Sequence, residues 1–252
     1  MAGENKWVPL ESNPEVITKV RRMEARLWYR GSIIGIQEFA HKLGLPANWS
    51  FVDVVGLDPE LLGMVPSPVA AVLLLFPISG NYENFVKQRS HEIESDGQAV
   101  SDKVYFMKQT IKNACGAMAL LHALANSMDQ VKFGDDGLLN KFLAATKAMN
   151  PDERGTYLEQ CKEIAQVHEE YARQGQTQAP SANENVDLHF VCLANVDGHI
   201  YDLDGRKPFP FNCGATTGDS FLKDASKVCK DYMARDPENL NFSVVALAKI
   251  DG

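Results

Sequence analysis

The sequence predicts an α+β fold, a sheet covered by helices, and three observations support this prediction. Val69–Phe76 is a continuous apolar run between prolines, which is typical of a buried central strand. Val186–Leu203 is interpreted as a hairpin, because Asp197-Gly198 is a preferred two-residue turn. Segments with helical patterns alternate with these strands along the chain, and such segments usually pack as helices against one sheet.

The elements of the first half follow from local signals. Ser12-Asn13-Pro14 is typical of a helix start, and a helical pattern continues to about Lys42. Ser50–Leu57 alternates apolar residues as a strand does, and Tyr82–Glu94 is interpreted as a helix.

In the second half, Asn113 is predicted to cap a helix that continues to about Ser127. Asn150-Pro151 is a clear start for a helix to about Arg173. The remaining predicted elements are helices over Leu138–Met149 and Asp219–Ala234 and a closing strand over Phe242–Ala248.

Length and composition predict a single domain over residues 1–252, and we expect a monomer. A chain of 252 residues with 45% hydrophobic content can bury a large core, and no segment resembles an interdomain linker. The polar stretch Gln174–Asn185 is predicted to be a loop of that domain, and such loops are often functional.

Charge and cysteine usage narrow the class of protein. A net charge of −8 disfavours nucleic acid and anionic membranes as partners. Met1–Lys6 lacks the apolar core of a signal peptide, and the longest apolar run, Pro68–Ile78, is shorter than the roughly 20 residues of a spanning helix.

Five widely spaced cysteines favour reduced thiols, so we expect a cytoplasmic protein. Without CxxC, HxxxH or phosphate-binding glycine motifs, we expect no metal and no cofactor.

Gln109, Cys115, His189 and Asp204 supply, in chain order, the parts of a thiol-protease site. Cys115 is predicted in the first turn of a helix, where the unpaired N–H groups and the helix dipole favour the thiolate. A histidine pairs with that thiolate and protonates the leaving group, and an acid orients the histidine. Gln109 can donate a hydrogen bond to the oxyanion.

The predicted hairpin brings His189 and Asp204 together. With the turn at Asp197-Gly198, Val191 faces Asp204, and alternation places His189 on the same face as Val191. His189 and Asp204 are then diagonal neighbours about 7–8 Å apart by Cα, within reach of each other's side chains.

Other residues fit these roles less well. His122 is a rival base seven residues after Cys115, but it lies roughly 10 Å further along the helix axis, so it is interpreted as structural. Asp202 shares the face of Asp204 at a greater distance from His189, and it is the second choice of acid. The remaining histidines are interpreted as surface groups and three of the cysteines as core residues: His41, His91, His168 and His199, and Cys161, Cys192 and Cys229.

The chain resembles the small, single-domain ubiquitin carboxyl-terminal hydrolases, a family of cysteine peptidases. The resemblance covers nearly the whole chain, and the order and contexts of the four proposed catalytic residues match. The matching stretches are Pro9–Glu15, Trp49–Asp53, Val72–Pro77, Tyr105–Gly116, Asp187–Phe190 and Val196–Phe209.

This resemblance implies a papain-like αβα arrangement with a mostly antiparallel central sheet and a knotted backbone. It implies hydrolysis of bonds at the C-terminal glycine of ubiquitin. Cys115 would be the nucleophile, His189 the general base and acid, and Asp204 the orienting acid. Gln109 and the Cys115 backbone N–H would form the oxyanion hole. Gln174–Asn185 matches a crossover loop that restricts the leaving group, so small or unfolded leaving groups are expected.

The implied partner is ubiquitin or a ubiquitin-like protein. The implied contact residues are Pro9, Leu10, Glu11, Glu15, Asp53, Val186 and Leu188. The chain departs from the family by an extra stretch at about 17–37, interpreted as an exposed insertion in a helix or a retained non-coding stretch rather than a basic, aromatic docking surface. Two other functions stay open: a ubiquitin-binding protein with little turnover, and a redox-regulated scaffold built around Cys115.

Overall fold

The computed structural model describes residues 6–7, 35–134, 136–172 and 188–250. Predictions about other residues lie outside this part of the chain. They include the helix start at Ser12-Asn13-Pro14, most of the extra stretch at 17–37 and the whole loop Gln174–Asn185. The knotted backbone also stays a prediction, because part of its path passes through residues that are not described.

Within the described residues, six strands form one sheet in which every neighbouring pair is antiparallel, as the resemblance implies. The strands are β1 (Trp49–Asp53), β2 (Val69–Pro77), β3 (Leu188–Val196), β4 (His199–Leu203), β5 (Phe211–Ala215) and β6 (Ser243–Lys249). Their spatial order is β1-β6-β2-β3-β4-β5. The predicted buried strand is confirmed, since β2 lies inside the sheet and all of its residues are buried.

Helices cover both faces of the sheet. The described ones are α1 (residues 35–43), α2 (Pro59–Leu62), α3 (Gly80–Asp96), α4 (Cys115–Ala125), α5 (Leu138–Thr146), α6 (Pro151–Gln160), α7 (Lys162–Ala172) and α8 (Phe221–Ala234). Alternate residues of β2 enter different core clusters, with Leu73 on the side of α4 and Leu74 on the side of α8. None of the helices in the described ranges is long and apolar enough to cross a membrane.

The long helix predicted after Asn150 is interrupted. Its start is confirmed by a capping box, in which the Asn150 side chain accepts from the Glu153 N–H and the Glu153 carboxylate accepts from the Asn150 N–H. Cys161 has a φ of −78° and a ψ of 85°, outside the helical region. The prediction of one continuous helix is therefore wrong: α6 ends at Gln160, Cys161 forms the break, and α7 begins at Lys162.

The prediction that His168 is a surface group is also wrong. His168 is only 1% exposed, and its ring lies near those of Trp7 and Phe39, with centroid distances of 4.5 and 5.8 Å. It shares one stripe of α7 with Ile164 and Tyr171, both buried, because residues four and three positions apart lie on the same helix face. Burial lowers the pKa of His168 to about 4, so its imidazole is neutral at pH 7.

The core prediction for the cysteines holds at two of three positions. Cys192 and Cys229 are fully buried, in the clusters of the α4 and α8 sides. Cys161, at the break between α6 and α7, is only half-buried.

Candidate active site

Cys115 is the first residue of α4, so its predicted place in the first helical turn is confirmed. The predicted cap is wrong, because Ala114 is the residue before the helix and makes no side-chain cap hydrogen bond. Asn113 has a left-handed φ of 64° instead of the extended backbone of a capping residue. The positive end of the α4 dipole therefore lies at Cys115, and the side chain of Ala114 accepts no hydrogen bond from the N–H groups of the first turn.

The hairpin register predicted from the sequence is confirmed. Val196 pairs with His199, and Cys192 pairs with Leu203, the last residue of β4. Asp204 follows directly, and its Oδ1 lies 2.7 Å from Nε2 of His189. Both side chains are buried, so this pair is shielded from water.

The thiol, the imidazole and the carboxylate favour one another's charged forms. Burial raises the pKa of the Cys115 thiol, but the hydrogen bond and positive charge of His189 outweigh it and lower the pKa below its usual value. Burial lowers the pKa of His189, but the negative charge and the hydrogen bond of Asp204 raise it by more, so the pKa of His189 lies above its usual value. Burial raises the pKa of Asp204, but the positive charge and the hydrogen bond of His189 lower it by more, so the pKa of Asp204 lies below its usual value. The geometry therefore supports a thiolate–imidazolium pair.

This cluster lies where the two layers of the protein meet. His189 shares a face of β3 with Val191, which belongs to the core cluster on the side of α8. Cys115 packs against the other cluster, on the side of α4. The His189 side chain nevertheless hydrogen-bonds the Cys115 thiol, and the backbone of the adjacent Phe190 does so too. His189 is the second residue of β3.

Gln109 is held beside Asp204 by its backbone and its side chain. Its N–H donates to the carbonyl oxygen of Gly205 at 2.9 Å, and its Nε2 donates to that of Ile111 at 3.1 Å. A Cβ at Gly205 would lie 3.0 Å from the Gln109 nitrogen, tighter than nearly all real contacts. A glycine after Asp204 thus permits the close approach of Gln109 to the proposed acid.

Helix α6 supports the segment before Gln109. The Lys108 N–H donates to the carbonyl oxygen of Pro151 at 2.9 Å. Gly155, one turn further along α6, lies so close that a Cβ there would be 2.3 Å from the Lys108 carbonyl oxygen. The position of Gln109 therefore depends on close packing of backbone against backbone.

His122 has a structural role, as the sequence indicates. Its Nε2 accepts from the Met107 N–H at 3.0 Å, and its Nδ1 lies 3.2 Å from the Leu203 carbonyl oxygen. Burial lowers the pKa of His122 to about 4, so the ring is neutral and its Nδ1–H donates to Leu203. It joins the segment that carries Gln109 to the end of β4.

Sequence reasoning missed the residues that surround Asp204. The Tyr82 hydroxyl donates to Oδ2 of Asp204, and the Arg206 N–H donates to Oδ1 at 2.9 Å. Phe76 pairs with His189 across β2 and β3, and its ring meets the imidazole edge-on at a centroid distance of 5.7 Å. A tyrosine at a helix start and a phenylalanine in an apolar strand carry no local signal of such contacts.

Asp202, the second choice of acid, has other partners. Its Oδ2 accepts from the Lys207 ammonium group, and from the Tyr232 hydroxyl at 2.6 Å. Lys207 also donates to the Tyr232 oxygen at 3.1 Å, and all three side chains are buried. Asp204 rather than Asp202 is therefore the acid that binds His189.

Two of the residues implied in ubiquitin contact are described. Asp53 ends β1 and Leu188 begins β3, and both are half-buried. Leu188 directly precedes His189, whereas the strand register places Asp53 level with Cys192, three residues further along β3. The other five, Pro9, Leu10, Glu11, Glu15 and Val186, lie outside the described residues.

Known proteins are similar to this chain in sequence. The family model for ubiquitin carboxyl-terminal hydrolase, family 1, matches residues 35–234. The ubiquitin carboxyl-terminal hydrolase isozyme L1 of Rattus norvegicus is 43% identical over 241 residues, which cover 96% of this chain and 97% of that protein. A ubiquitin carboxyl-terminal hydrolase of Aplysia californica is 45% identical over 238 residues, which cover 94% of this chain and 100% of that protein.

A solved structure has the same fold at low sequence identity. The UCH37 catalytic domain of Trichinella spiralis, bound to ubiquitin vinyl methyl ester, superposes with a TM-score of 0.68 at 22% identity. The match covers 98% of this chain and 97% of that one.

Proposed function

Because this chain belongs to ubiquitin carboxyl-terminal hydrolase family 1, we propose that it is a thiol-dependent deubiquitinase that cleaves bonds at the C-terminal glycine of ubiquitin. One observation carries the proposal: His189 binds Asp204 at 2.7 Å beside a Cys115 thiol whose pKa is lowered. The alternative, a ubiquitin-binding protein with little turnover, would need no such pairing.

In the proposed first step, the Cys115 thiolate attacks the carbonyl carbon of the C-terminal glycine. The new C–S bond places the negative charge on the carbonyl oxygen. The imidazolium of His189 then gives its Nδ1 proton to the leaving nitrogen as the C–N bond breaks, which leaves a thioester on Cys115. The Asp204 carboxylate remains hydrogen-bonded to Nε2 of His189, so the ring keeps the orientation in which Nδ1 faces the thiol.

Water completes the proposed reaction. Neutral His189 takes a proton from a water molecule through Nδ1, and the resulting hydroxide adds to the thioester carbonyl. The C–S bond breaks and the thiolate is restored beside the imidazolium, while the released carboxylic acid of ubiquitin loses its proton to solvent and becomes the carboxylate. The acid and the base of the two steps are thus one ring in two protonation states.

Gln109 is proposed to stabilise the oxyanion of both steps. Its amide nitrogen carries two hydrogens, and one donates to the Ile111 carbonyl oxygen. The second hydrogen and the Cys115 backbone N–H can both donate hydrogen bonds to the oxygen that becomes negatively charged. The Ile111 contact fixes the amide before substrate binds, so little reorganisation is needed during the reaction.

Ubiquitin is the proposed partner, bound by a monomer that forms a single domain over residues 1–252. One sheet with a core cluster on each face supports a single domain. The relative from Trichinella spiralis, which is bound to ubiquitin vinyl methyl ester, supports ubiquitin as the ligand. Leu188, which directly precedes His189, and Asp53, the last residue of β1, are proposed contacts.

Labelling by ubiquitin vinyl methyl ester tests the proposal. The wild type should gain one ubiquitin at Cys115, identified by mass spectrometry of the digested adduct. Cys115→Ala should lose labelling and hydrolysis of a fluorogenic ubiquitin amide but still bind ubiquitin in calorimetry. Cys213→Ala is the matched control, because Cys213 is an exposed cysteine outside the cluster, and it should be labelled like the wild type. Ubiquitin binding by the wild type without labelling or turnover would favour the alternative function.

We also propose that Gln174–Asn185 limits the size of the leaving group. Loop closure becomes only slowly more costly with length, so inserted Gly and Ser residues should leave folding intact. The lengthened variant should cleave diubiquitin while it hydrolyses a small ubiquitin ester at the wild-type rate. No gain on diubiquitin would place the size restriction in another part of the chain.

A further inference from the structure

The two oxygens of the Asp204 carboxylate have different donors. Oδ1 accepts from Nε2 of His189 at 2.7 Å and from the Arg206 N–H at 2.9 Å. Oδ2 accepts from the Tyr82 hydroxyl. A carboxylate held at both oxygens cannot turn about its Cβ–Cγ bond without breaking a hydrogen bond.

We propose that Tyr82 is a positioning residue, whose hydroxyl holds Asp204 in the orientation that keeps Oδ1 on His189. This inference rests on the proposed function, since it assigns Tyr82 a part in the same active site. The Tyr82 hydroxyl hydrogen-bonds the Asp204 carboxylate, so we assign its effect on the reaction to Asp204.

Tyr82 is itself held firmly. It lies in the first turn of α3, where its N–H donates to the side-chain oxygen of the capping residue Ser79 at 3.3 Å. Its ring meets the Phe76 ring edge-on at 4.7 Å and lies 5.7 Å from the Tyr232 ring. Phe76 also contacts His189, so one aromatic ring packs against both the imidazole and the tyrosine that flank Asp204. A side chain with its rotamer fixed by packing can position a neighbour closely.

The Tyr82 hydroxyl also keeps its proton. Burial raises the pKa of Tyr82 far above its usual value, and the negative charges of Asp204 and Asp202 raise it further. Tyr82 is therefore a hydrogen-bond donor throughout the pH range in which a thiol enzyme works. Because the Tyr82 hydroxyl stays neutral, it carries no negative charge that could pair with the His189 imidazolium in place of Asp204.

Tyr82→Phe removes this donor and keeps the ring. We expect kcat for a ubiquitin amide to fall about tenfold, the effect of losing one modest hydrogen bond, with KM unchanged. Tyr201→Phe is the matched control. Tyr201 is also buried, and its hydroxyl accepts from the Ser101 N–H at 3.0 Å on another part of the sheet, so its kcat should stay at the wild-type value.

A double-mutant cycle separates positioning from a general loss of stability. Asp204→Ala removes the group through which Tyr82 acts, so Tyr82→Phe should have no further effect on kcat in that background. An equal fold-loss in both backgrounds would refute the proposal, and so would a wild-type kcat for Tyr82→Phe alone.

Alkylation of Cys115 by iodoacetamide gives a readout that does not involve ubiquitin. Its rate as a function of pH, followed by mass spectrometry of the Cys115 peptide, reports the pKa of the thiol. Tyr82→Phe should shift that pKa upward, because a less firmly held Asp204 stabilises the imidazolium less, and Tyr201→Phe should not. If the wild type does not hydrolyse ubiquitin conjugates, the proposed function fails, whereas an unshifted profile in Tyr82→Phe contradicts the role of Tyr82.

Discussion

The contact between α6 and the segment before Gln109 predicts that Gly155→Ala impairs catalysis from a distance. A Cβ at Gly155 would lie 2.3 Å from the Lys108 carbonyl oxygen and 3.2 Å from the Thr110 side chain. Ordinary contact begins near 3.4 Å, so the helix and this segment must separate by about 1 Å. Gln109 lies between the two residues that are displaced.

The expected magnitudes follow from this displacement. A misplacement of about 1 Å in a catalytic group can cost roughly 10²-fold in rate, so kcat should fall by about that factor. Overpacking costs about 1–3 kcal/mol, and the better helix propensity of alanine offsets up to about 1 kcal/mol of it. For a chain of this size each kcal/mol corresponds to roughly 2–4 °C in Tm, so Tm should fall by a few degrees.

Turnover of a fluorogenic ubiquitin amide and thermal unfolding measure the two effects. Gly218→Ala is the control, because a Cβ there meets nothing within 4 Å, and it should match the wild type in both. A Gly155→Ala protein with unchanged kcat would show that the segment yields without moving Gln109. A loss confined to KM would show that α6 affects ubiquitin binding instead.

Three further predictions concern single side chains. Gln109→Ala should lower kcat by ~10²–10³ with unchanged ubiquitin affinity in calorimetry, as expected for one oxyanion donor. Lys207→Met should lower the free energy of unfolding by about 3–5 kcal/mol in urea titrations, because it leaves Asp202 buried without its cation, and adding Asp202→Leu should recover most of the loss. His168 has a folded pKa of about 4, below its unfolded value of about 6.5, so it contributes stability above pH 6.5 that is lost as pH falls towards 4. In His168→Leu the loss of unfolding free energy between these pH values should be smaller by up to about 3 kcal/mol, and an unchanged loss would mean that other groups cause it.

Much of the site could be predicted because its signals are local. The turn at Asp197-Gly198 fixes the register of β3 and β4, and side-chain alternation then determines which residues share a face. His189 and Asp204 are 15 residues apart, and the hairpin between them leaves little freedom. The start of α6 was predictable for the same reason, since Asn150 and the glutamate three residues later form a capping box by themselves.

The missed features depend on contacts between distant segments. Tyr82 and Asp204 are 122 residues apart, and only the packing of α3 against the sheet brings them together. Asn113 has the composition of a cap, yet its left-handed backbone and the start of α4 one residue later than expected are set by the surrounding fold. Local propensity cannot predict such positions, because tertiary packing overrides it.

The proposed active site depends on the exact register of the hairpin. Successive side chains of a strand point to opposite faces, so a slip of one residue between β3 and β4 would turn the carboxylate of Asp204 towards the layer of α4 and away from His189. A slip of two would restore the face but move the acid along the strand. The number of residues between the histidine and its acid is therefore as much a requirement as their identity. Inserting or deleting one codon within the hairpin should inactivate the protein although every proposed catalytic side chain is still present.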